Sequence, residues 1–278
     1  MVTLNKNPLI NDFGVLTGDY KIPYGQHGCP LVSASRIGEA IKGVLRNFHE
    51  IEPRIQILQY AIMPDHLHIL LFVKEQTDEI LGRIIARFKV EVNKRAELTE
   101  VFTKGFNDQI LKTTRSLDTL YQYLRDNPRR LAVRKGHPEF FRRVNRLKIG
   151  EGYYQAYGNF QLLANPFREQ VVVHRADTPE VRERNRALWI YGAANAGVLV
   201  SPFISRDEKA IRTEAEDAGG RFILITDAPM DDRYKPSAHD FALCEAGRML
   251  IVSAGFSGDL SRRNCLAMNA LAKKIAGC

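Results

Sequence analysis

The chain has 278 residues, of which 45% are hydrophobic and 26% are charged, the composition of a globular protein that buries a substantial core. Forty Lys and Arg residues against 32 Asp and Glu give a formal net charge of +8, an excess that attracts polyanions without identifying one. No apolar run reaches the roughly eighteen residues of a membrane span, and residues 1–6 lack the apolar core of a signal peptide, so we expect a cytoplasmic protein without membrane attachment.

The N-terminal part of the chain predicts a strand and loop, then a helix, then a hairpin. Residues 1–29 indicate an early strand followed by a loop, and Ser33 or Ser35 is a suitable N-cap for a helix that extends to about His49. Two strands follow, over residues 54–62 and 66–73, joined by the turn Met63-Pro64-Asp65.

The second strand of this hairpin carries two histidines separated by one residue. Side chains alternate faces along a strand, so His66 and His68 point the same way while Leu67 points into the core. A single histidine in an apolar strand is usually a packed residue. Two of them on one face, next to an exposed turn, favour a metal site, because neutral imidazole is the commonest protein metal ligand.

Residues 77–95 predict a second helix, capped by Thr77 or Asp78, with an apolar stripe that includes Leu81, Ile85 and Phe88. Its other sides are basic. We consider two interpretations of these side chains, a solvated face or phosphate contacts beside a metal site. The candidate DNA-binding residues on this helix are Arg83, Arg87 and Lys89.

A third helix is predicted over residues 117–127 and is expected to end at Pro128. Tyr121 falls on its apolar stripe, whereas Tyr123 lies about 200° around the helix and is expected to face away from that stripe. Asn127 is four residues after Tyr123 and shares its side of the helix. This arrangement supplies a candidate nucleophile, Tyr123, and a candidate third metal ligand, Asn127.

The ligand set His66, His68 and Asn127 is too small for a closed structural zinc site and better suits Mg²⁺ or Mn²⁺ with further oxygen ligands from water and substrate. Tyr123 would attack phosphorus to form a covalent phosphotyrosine link that preserves the bond energy for rejoining. Further candidate DNA contacts lie on and after the third helix at Arg125, Arg129, Arg130 and Arg134.

The C-terminal part predicts alternating strands and helices, with strands near residues 197–200, 222–225 and 249–252 and helices near 207–218 and 261–276. This alternation indicates a small parallel α/β domain. We therefore divide the chain into a first domain over residues 1–174, a linker over 175–184 and an accessory domain over 185–278. No GxGxxG or Walker A sequence is present, so no nucleotide cofactor is predicted.

Several motifs resemble those of one family. Residues 60–73 look like the His-hydrophobe-His motif of HUH nucleases, and residues 123–128 resemble the Tyr-x-x-x-Asn-Pro signature of REP-associated tyrosine transposases, a branch of the single-tyrosine transposases. Residues 84–89 and 105–108 are similar to segments that flank these motifs. The resemblance covers roughly residues 13–134. Residues 219–220 and 261–264 faintly resemble Rossmann-like domains of the DNA-processing protein A type.

The resemblance implies an α+β, ferredoxin-like antiparallel sheet with helices on one face, followed by the α/β Rossmann-like accessory domain. It also implies His66, His68 and Asn127 as ligands of a divalent metal, Tyr123 as the nucleophile and hairpin-bearing single-stranded DNA as the substrate. A homodimer is a further expectation. The alternatives are a rolling-circle replication initiator and a non-catalytic regulator that binds DNA hairpins.

Overall fold

The structure, a computed structural model, describes residues 1–111, 115–231, 234–256 and 261–277. The chain forms two compact units, Met1–Lys135 and Gly136–Cys278. Both combine helices with β-sheet, so the expected mixture of α and β structure is confirmed. Within the described ranges, no helix is long and apolar enough to cross a membrane.

The first unit is built from a four-stranded sheet, a separate hairpin and helices on both faces of the sheet. Its elements are β1 (Val2–Asn5), β2 (Gly14–Thr17), β3 (Leu31–Ala34), α1 (Arg36–Arg46), α2 (Phe48–Ile51), β4 (Ile55–Ile62), β5 (His66–Val73), α3 (Leu81–Ala96), β6 (Asn107–Asp108) and α4 (Arg115–Gly136). The sheet has the order β4-β5-β1-β6 and all its neighbours are antiparallel. The two long hairpin strands, β4 and β5, lie where the sequence places them.

Strand β5 separates two apolar layers. Leu67 and Ile69 face one side, where they pack in a core with α1 and α3. Leu70 faces the other side and packs with Leu124 of α4. Because side chains alternate along the strand, the even-numbered residues of β5 face α4 and the odd-numbered residues face α1 and α3.

Helix α1 begins as predicted, because the side chain of Ser35 accepts a hydrogen bond from the backbone nitrogen of Gly38. Helix α4 does not end as predicted. It continues through Pro128 to Gly136, although proline removes one backbone hydrogen bond from the helix. Buried side chains on either side of the proline, Leu124 and Val133, supply packing that offsets this cost.

The second unit contains a six-stranded sheet of mixed direction. Its elements are β7 (Arg142–Ile149), β8 (Gly152–Gly158), β9 (Arg168–Gln170), α5 (Pro179–Ala194), β10 (Val198–Ser201), α6 (Arg206–Asp217), β11 (Arg221–Thr226), α7 (Ala238–Glu245), β12 (Met249–Ser253) and α8 (Arg262–Ala276), with short 3₁₀ helices at Pro138–Phe141 and Phe160–Ala164. The order is β7-β8-β12-β11-β10-β9. Strands β10, β11 and β12 are parallel, as the alternating pattern predicts. Strand β9, which falls within the expected first domain of residues 1–174, is also parallel to β10, and β8 and β7 extend the sheet in antiparallel fashion.

Helices cover both faces of this sheet. Residues of α5, α6 and α7 pack in one core with alternate residues of β10 to β12, including Leu199, Phe222 and Ile251. The intervening residues, such as Val200 and Ile223, pack against α8 on the other face. The parallel strands are therefore apolar on both faces, which explains their continuous hydrophobic sequences.

The division of the chain differs from the expected boundaries of 1–174, 175–184 and 185–278. The unit boundary lies between Lys135 and Gly136. Hydrogen bonding is the physical reason, since β8 pairs with β12 and β9 pairs with β10, so residues 142–170 belong to the second sheet. The expected linker also contains the first residues of α5, which Thr178 caps.

Candidate functional site

The two histidines lie together on the α4 side of the first sheet. The ring centroids of His66 and His68 are 4.6 Å apart and the rings are inclined by 75°. His68 is buried, with 4% of its surface exposed, while the side chain of His66 retains 21%. Their separation by one residue on β5 accounts for the shared face.

Each imidazole is oriented by a hydrogen bond at Nδ1. His66 Nδ1 is 2.7 Å from a carboxylate oxygen of Asp65, and His68 Nδ1 is 2.8 Å from Oγ1 of Thr3, the residue directly opposite it on β1. The hydrogen bond to His66 is the main reason that the pKa of Asp65 lies below its usual value. Because Nδ1 is engaged in both rings, Nε2 is the nitrogen through which each ring would bind a metal ion.

Helix α4 brings Tyr123 to this pair. The ring of Tyr123 meets that of His68 edge to face, with 5.8 Å between centroids. Further along the same helix, the charge of Arg134 contributes to the lowered pKa of Asp65. Asn127 lies on α4 between Tyr123 and Arg134 and is buried, with 6% of its surface exposed. Helix α4 therefore passes near the histidine strand at Tyr123 and Arg134.

The expected division of the two tyrosines into an inward and an outward residue differs from the structure. Tyr121 and Tyr123 are both half-buried against the apolar cluster centred on Leu124. At about 100° per residue, the two tyrosines lie on either side of Leu124 around the helix axis. The face of α4 that packs in this cluster therefore spans roughly 160° of the helix circumference. The helix buries a wider face than the i, i+3, i+4, i+7 stripe indicates, and Tyr123 occupies the flank next to His68.

The side chain of Asn127 is suited to a role as a ligand. Its amide nitrogen is buried and has no hydrogen-bond partner within the described part of the chain. An amide can be turned by 180° with little change in shape, which would present its oxygen instead. Two imidazole nitrogens and one amide oxygen suit a divalent cation that keeps further oxygen ligands. No group of three or more His, Cys, Asp and Glu side chains positioned to hold a metal occurs among the described residues.

The predicted DNA-binding arginines of α4 differ in what they contact. Arg130 is buried, with 7% exposed, and its guanidinium carbon lies 5.5 Å from the centroid of the Tyr123 ring. Arg129 donates a hydrogen bond from Nε to the carbonyl oxygen of Tyr20, and Arg125 lies 5.9 Å from the ring centroid of Tyr24. These contacts attach the loop between β2 and β3 to the helix that carries Tyr123.

The remaining α4 arginine, Arg134, donates from Nε to the carbonyl oxygen of Arg130, one turn earlier. All four predicted arginines of this helix therefore lie on the element that carries Tyr123 and Asn127. Arg130 contacts Tyr123 and the charge of Arg134 acts on Asp65, whereas the other two arginines contact the loop between β2 and β3.

The predicted basic residues of α3 lie elsewhere. Helix α3 packs on the sheet face opposite to α4, so Arg83, Arg87 and Lys89 are separated from the histidines by the sheet. Arg87 lies 3.3 Å from a carboxylate oxygen of Glu79. Lys89 donates to the carbonyl oxygens of Thr103 and Gly105, and burial lowers the pKa of Lys89. Arg83 is exposed.

Sequence reasoning missed two supporting residues, Thr3 and Asp65. Asp65 precedes His66 directly, and this adjacency was a usable signal for a carboxylate–imidazole pair. Thr3 carried no such signal, because its partner His68 is 65 residues away and the pairing depends on the register of β1 against β5.

Comparison with known proteins adds one distant relative. An uncharacterized protein of Haemophilus influenzae is 25% identical over 116 residues, which cover 33% of this chain and 64% of the relative. The chain thus matches slightly less than two thirds of that relative's length. No family model matches the chain, and no solved structure matches it either.

Proposed function

We propose that this protein is a metal-dependent transposase or endonuclease that cleaves and rejoins single-stranded DNA through Tyr123. The observation that carries the proposal is the placement of Tyr123 against His68, 5.8 Å between ring centroids, with His66 beside it and Asn127 one turn further along α4. The candidate nucleophile thus meets one of two adjacent imidazoles, although the two segments are more than fifty residues apart, and a buried amide lies one turn further along the same helix.

The fold of the first unit supports this proposal. Apart from the β2–β3 hairpin and the short α2, its elements up to β6 follow the pattern strand, helix, strand, strand, helix, strand, with the second and third strands of that series next to each other and the first strand third in the sheet. This is the order of a ferredoxin-like sheet, the architecture that the resemblance to HUH nucleases and REP-associated tyrosine transposases implies. The parallel strands of the second unit, covered on both faces by helices, support a Rossmann-like accessory domain.

Nε2 of His66, Nε2 of His68 and the side-chain oxygen of Asn127 are the atoms that would hold Mg²⁺ or Mn²⁺. When bound, such an ion polarises a phosphodiester and offsets the charge that develops on its oxygens. Thr3 and Asp65 fix the orientation of the two imidazoles through Nδ1. Arg130, next to the Tyr123 ring, adds positive potential where a phosphate must approach the phenol oxygen.

The proposed reaction begins with attack of the Tyr123 phenol oxygen on phosphorus. The new bond joins this oxygen to phosphorus, the bond between phosphorus and the 3′ oxygen breaks, and the phenolic proton passes to solvent. The released 3′ oxygen takes up a proton and leaves as a 3′-hydroxyl, while the 5′-phosphate stays on Tyr123. Attack by another 3′-hydroxyl reverses these steps and joins a new strand.

The test is adduct formation between the full-length protein and hairpin-bearing single-stranded DNA in the presence of Mn²⁺, followed on a denaturing gel. We expect a covalent adduct with the wild type and none with Tyr123→Phe. Tyr121→Phe is the matched control, because Tyr121 is half-buried in the same apolar cluster on the same helix. An adduct from Tyr123→Phe as abundant as from the wild type would overturn the assignment.

The same assay separates the alternatives. Binding of hairpin DNA without any adduct, under all metal conditions, would favour a regulator that has lost turnover. Multiple cleavage events without strand joining would favour a rolling-circle initiator.

A further inference from the structure

The second unit carries an exposed tyrosine between two basic side chains on its β7–β8 hairpin. Tyr153 on β8 lies directly opposite Lys148 on β7, and the guanidinium carbon of Arg146 is 4.6 Å from the centroid of the Tyr153 ring. The tyrosine is 57% exposed, and both basic residues are exposed. We call Arg146, Lys148 and Tyr153 the hairpin patch.

The geometry of β7 creates this grouping. Leu147 and Ile149 face the core with α8, so Lys148 faces the opposite side, as does Arg146 two residues earlier. The pairing of β7 with β8 shifts between Val144 and Leu147, where one extra residue enters β7. Such a bulge reverses the alternation of side chains, and here it places Arg146 on the side of Tyr153.

The charges of the hairpin patch are not neutralised. Neither Arg146 nor Lys148 forms an ion pair within the described ranges, and Arg146 is held only by its contact with Tyr153. Two other arginines of this unit, by contrast, pair with acidic side chains. Arg186 pairs with Glu183 and Glu214, and Arg212 pairs with Glu216 and Asp240. The two cations lie on β7, the edge strand of the sheet, and the Tyr153 ring beside them is exposed. These three side chains therefore do not contribute to the packing of the core.

We infer that the hairpin patch binds single-stranded nucleic acid, with one base stacked on Tyr153 and the neighbouring phosphates contacted by Arg146 and Lys148. Every base has a face that can stack on an aromatic ring, and phosphates supply the anions that the two cations lack. Single strands fit better than duplex, because the bases of a duplex are already stacked on one another. The inference concerns strand binding by the second unit and does not depend on cleavage at Tyr123.

The test uses the full-length protein with Tyr123→Phe, so that binding is measured without cleavage, and a fluorescent oligothymidylate of about 20 nucleotides without a hairpin. Fluorescence anisotropy gives the dissociation constant. We expect Tyr153→Ala to weaken binding about tenfold and Tyr153→Phe, which keeps the ring, to bind like the parent. Tyr191→Ala is the matched control, since Tyr191 is a 70% exposed tyrosine on α5 of the same unit.

A salt titration tests the two cations separately. The double variant Arg146→Ala, Lys148→Ala should reduce the slope of log K against log salt by about 1.4, the loss expected for two phosphate contacts on a single strand. The double variant Arg184→Ala, Lys209→Ala removes the same charge from exposed positions of the same unit and should leave the slope unchanged. This measurement remains informative if Tyr153→Ala fails to fold.

The inference is overturned if the hairpin-patch variants bind like their controls. It is also overturned if the protein ignores the oligonucleotide and the same variants instead lose binding to vesicles of anionic lipid. Loss of strand binding by the patch variants of a protein that never forms a Tyr123 adduct would support this inference while rejecting the proposed function.

Discussion

Tyr123 on α4 and His68 on β5 meet edge to face, with 5.8 Å between their ring centroids and 62° between their planes. Their contact joins the helix that carries the proposed nucleophile to the strand that carries the proposed metal ligands. Residues that support either partner should therefore affect metal binding and strand cleavage while leaving the fold intact.

Thr3 is the first such residue. Thr3→Val keeps the shape of the side chain but removes the hydroxyl that pairs with Nδ1 of His68 at 2.8 Å. Loss of a hydrogen bond that orients a ligand typically reduces metal affinity by about 10- to 100-fold, and we expect Mn²⁺ binding measured by calorimetry to fall within this range. Thr3→Ser retains the hydroxyl and should bind Mn²⁺ like the wild type. Equal affinities for the valine and serine variants would contradict the proposed orientation of His68.

Asn127 should contribute to metal binding more than to DNA binding. Asn127→Ala removes the amide oxygen and should weaken Mn²⁺ binding and adduct formation together, whereas Asn127→Asp keeps an oxygen at the same place and should retain the metal. Binding of hairpin DNA by Asn127→Ala without metal should match that of the wild type. If the alanine variant binds Mn²⁺ normally, Asn127 is not a ligand.

Glu52 should make the stability of the first unit depend on pH. Its buried carboxylate accepts a hydrogen bond from Arg54 Nε at 2.8 Å, and this contact holds the pKa of Glu52 below its ordinary value of 4.5. A carboxyl whose pKa is lowered by folding stabilises the native state above its unfolded pKa, and this contribution is lost as the pH falls through the folded pKa. The melting temperatures of wild type and Glu52→Gln should therefore differ most near neutral pH.

The difference should shrink as the pH is lowered from 4.5. Glu39→Gln is the control, because the exposed pair of Glu39 with Lys42 within α1 is expected to contribute little at any pH. A difference between wild type and Glu52→Gln that stays constant down to the most acidic condition would show that the Glu52 carboxylate is not responsible.

The boundary at Lys135 predicts how the chain tolerates truncation. A fragment of residues 1–135 contains all strands of the first sheet and should unfold cooperatively. A fragment of residues 1–174 adds the β7–β8 hairpin without β12, the strand on which it depends for pairing. Trypsin should rapidly cut this fragment back towards residue 135 but should leave the hairpin of the full chain intact. Equal resistance of both proteins would contradict the boundary.

The sequence predicts local features well where periodicity and chemistry agree. The strands β4 and β5, the Ser35 cap, the strands β10, β11 and β12 and the helices α6 and α8 follow from apolar spacing and capping residues, whereas α7 is not predicted. The proximity of Tyr123 and Asn127 along one helix follows from the helical repeat. The features that the sequence does not reveal depend on distant partners.

Pro128 illustrates this limit. Local rules end the helix there, whereas burial of Leu124 and Val133 on either side carries it to Gly136. The pairing of β8 with β12 joins residues about a hundred positions apart, and a hairpin considered alone gives no indication of the sheet it joins. Tertiary packing likewise determines which face of α4 contacts the sheet. The position of Tyr123 beside His68 depends on that face.

The contact of Thr3 with His68 also has a consequence for the order of folding. It closes a loop of 65 residues and requires the pairing of β1 with β5. Contacts between residues far apart in the sequence form late, because closing the loop between them costs chain entropy before the contact stabilises the fold. The hydrogen bond that orients His68 thus arises only after β1 has paired with β5, and under the proposed function the recovery of Mn²⁺ affinity during refolding should follow this pairing.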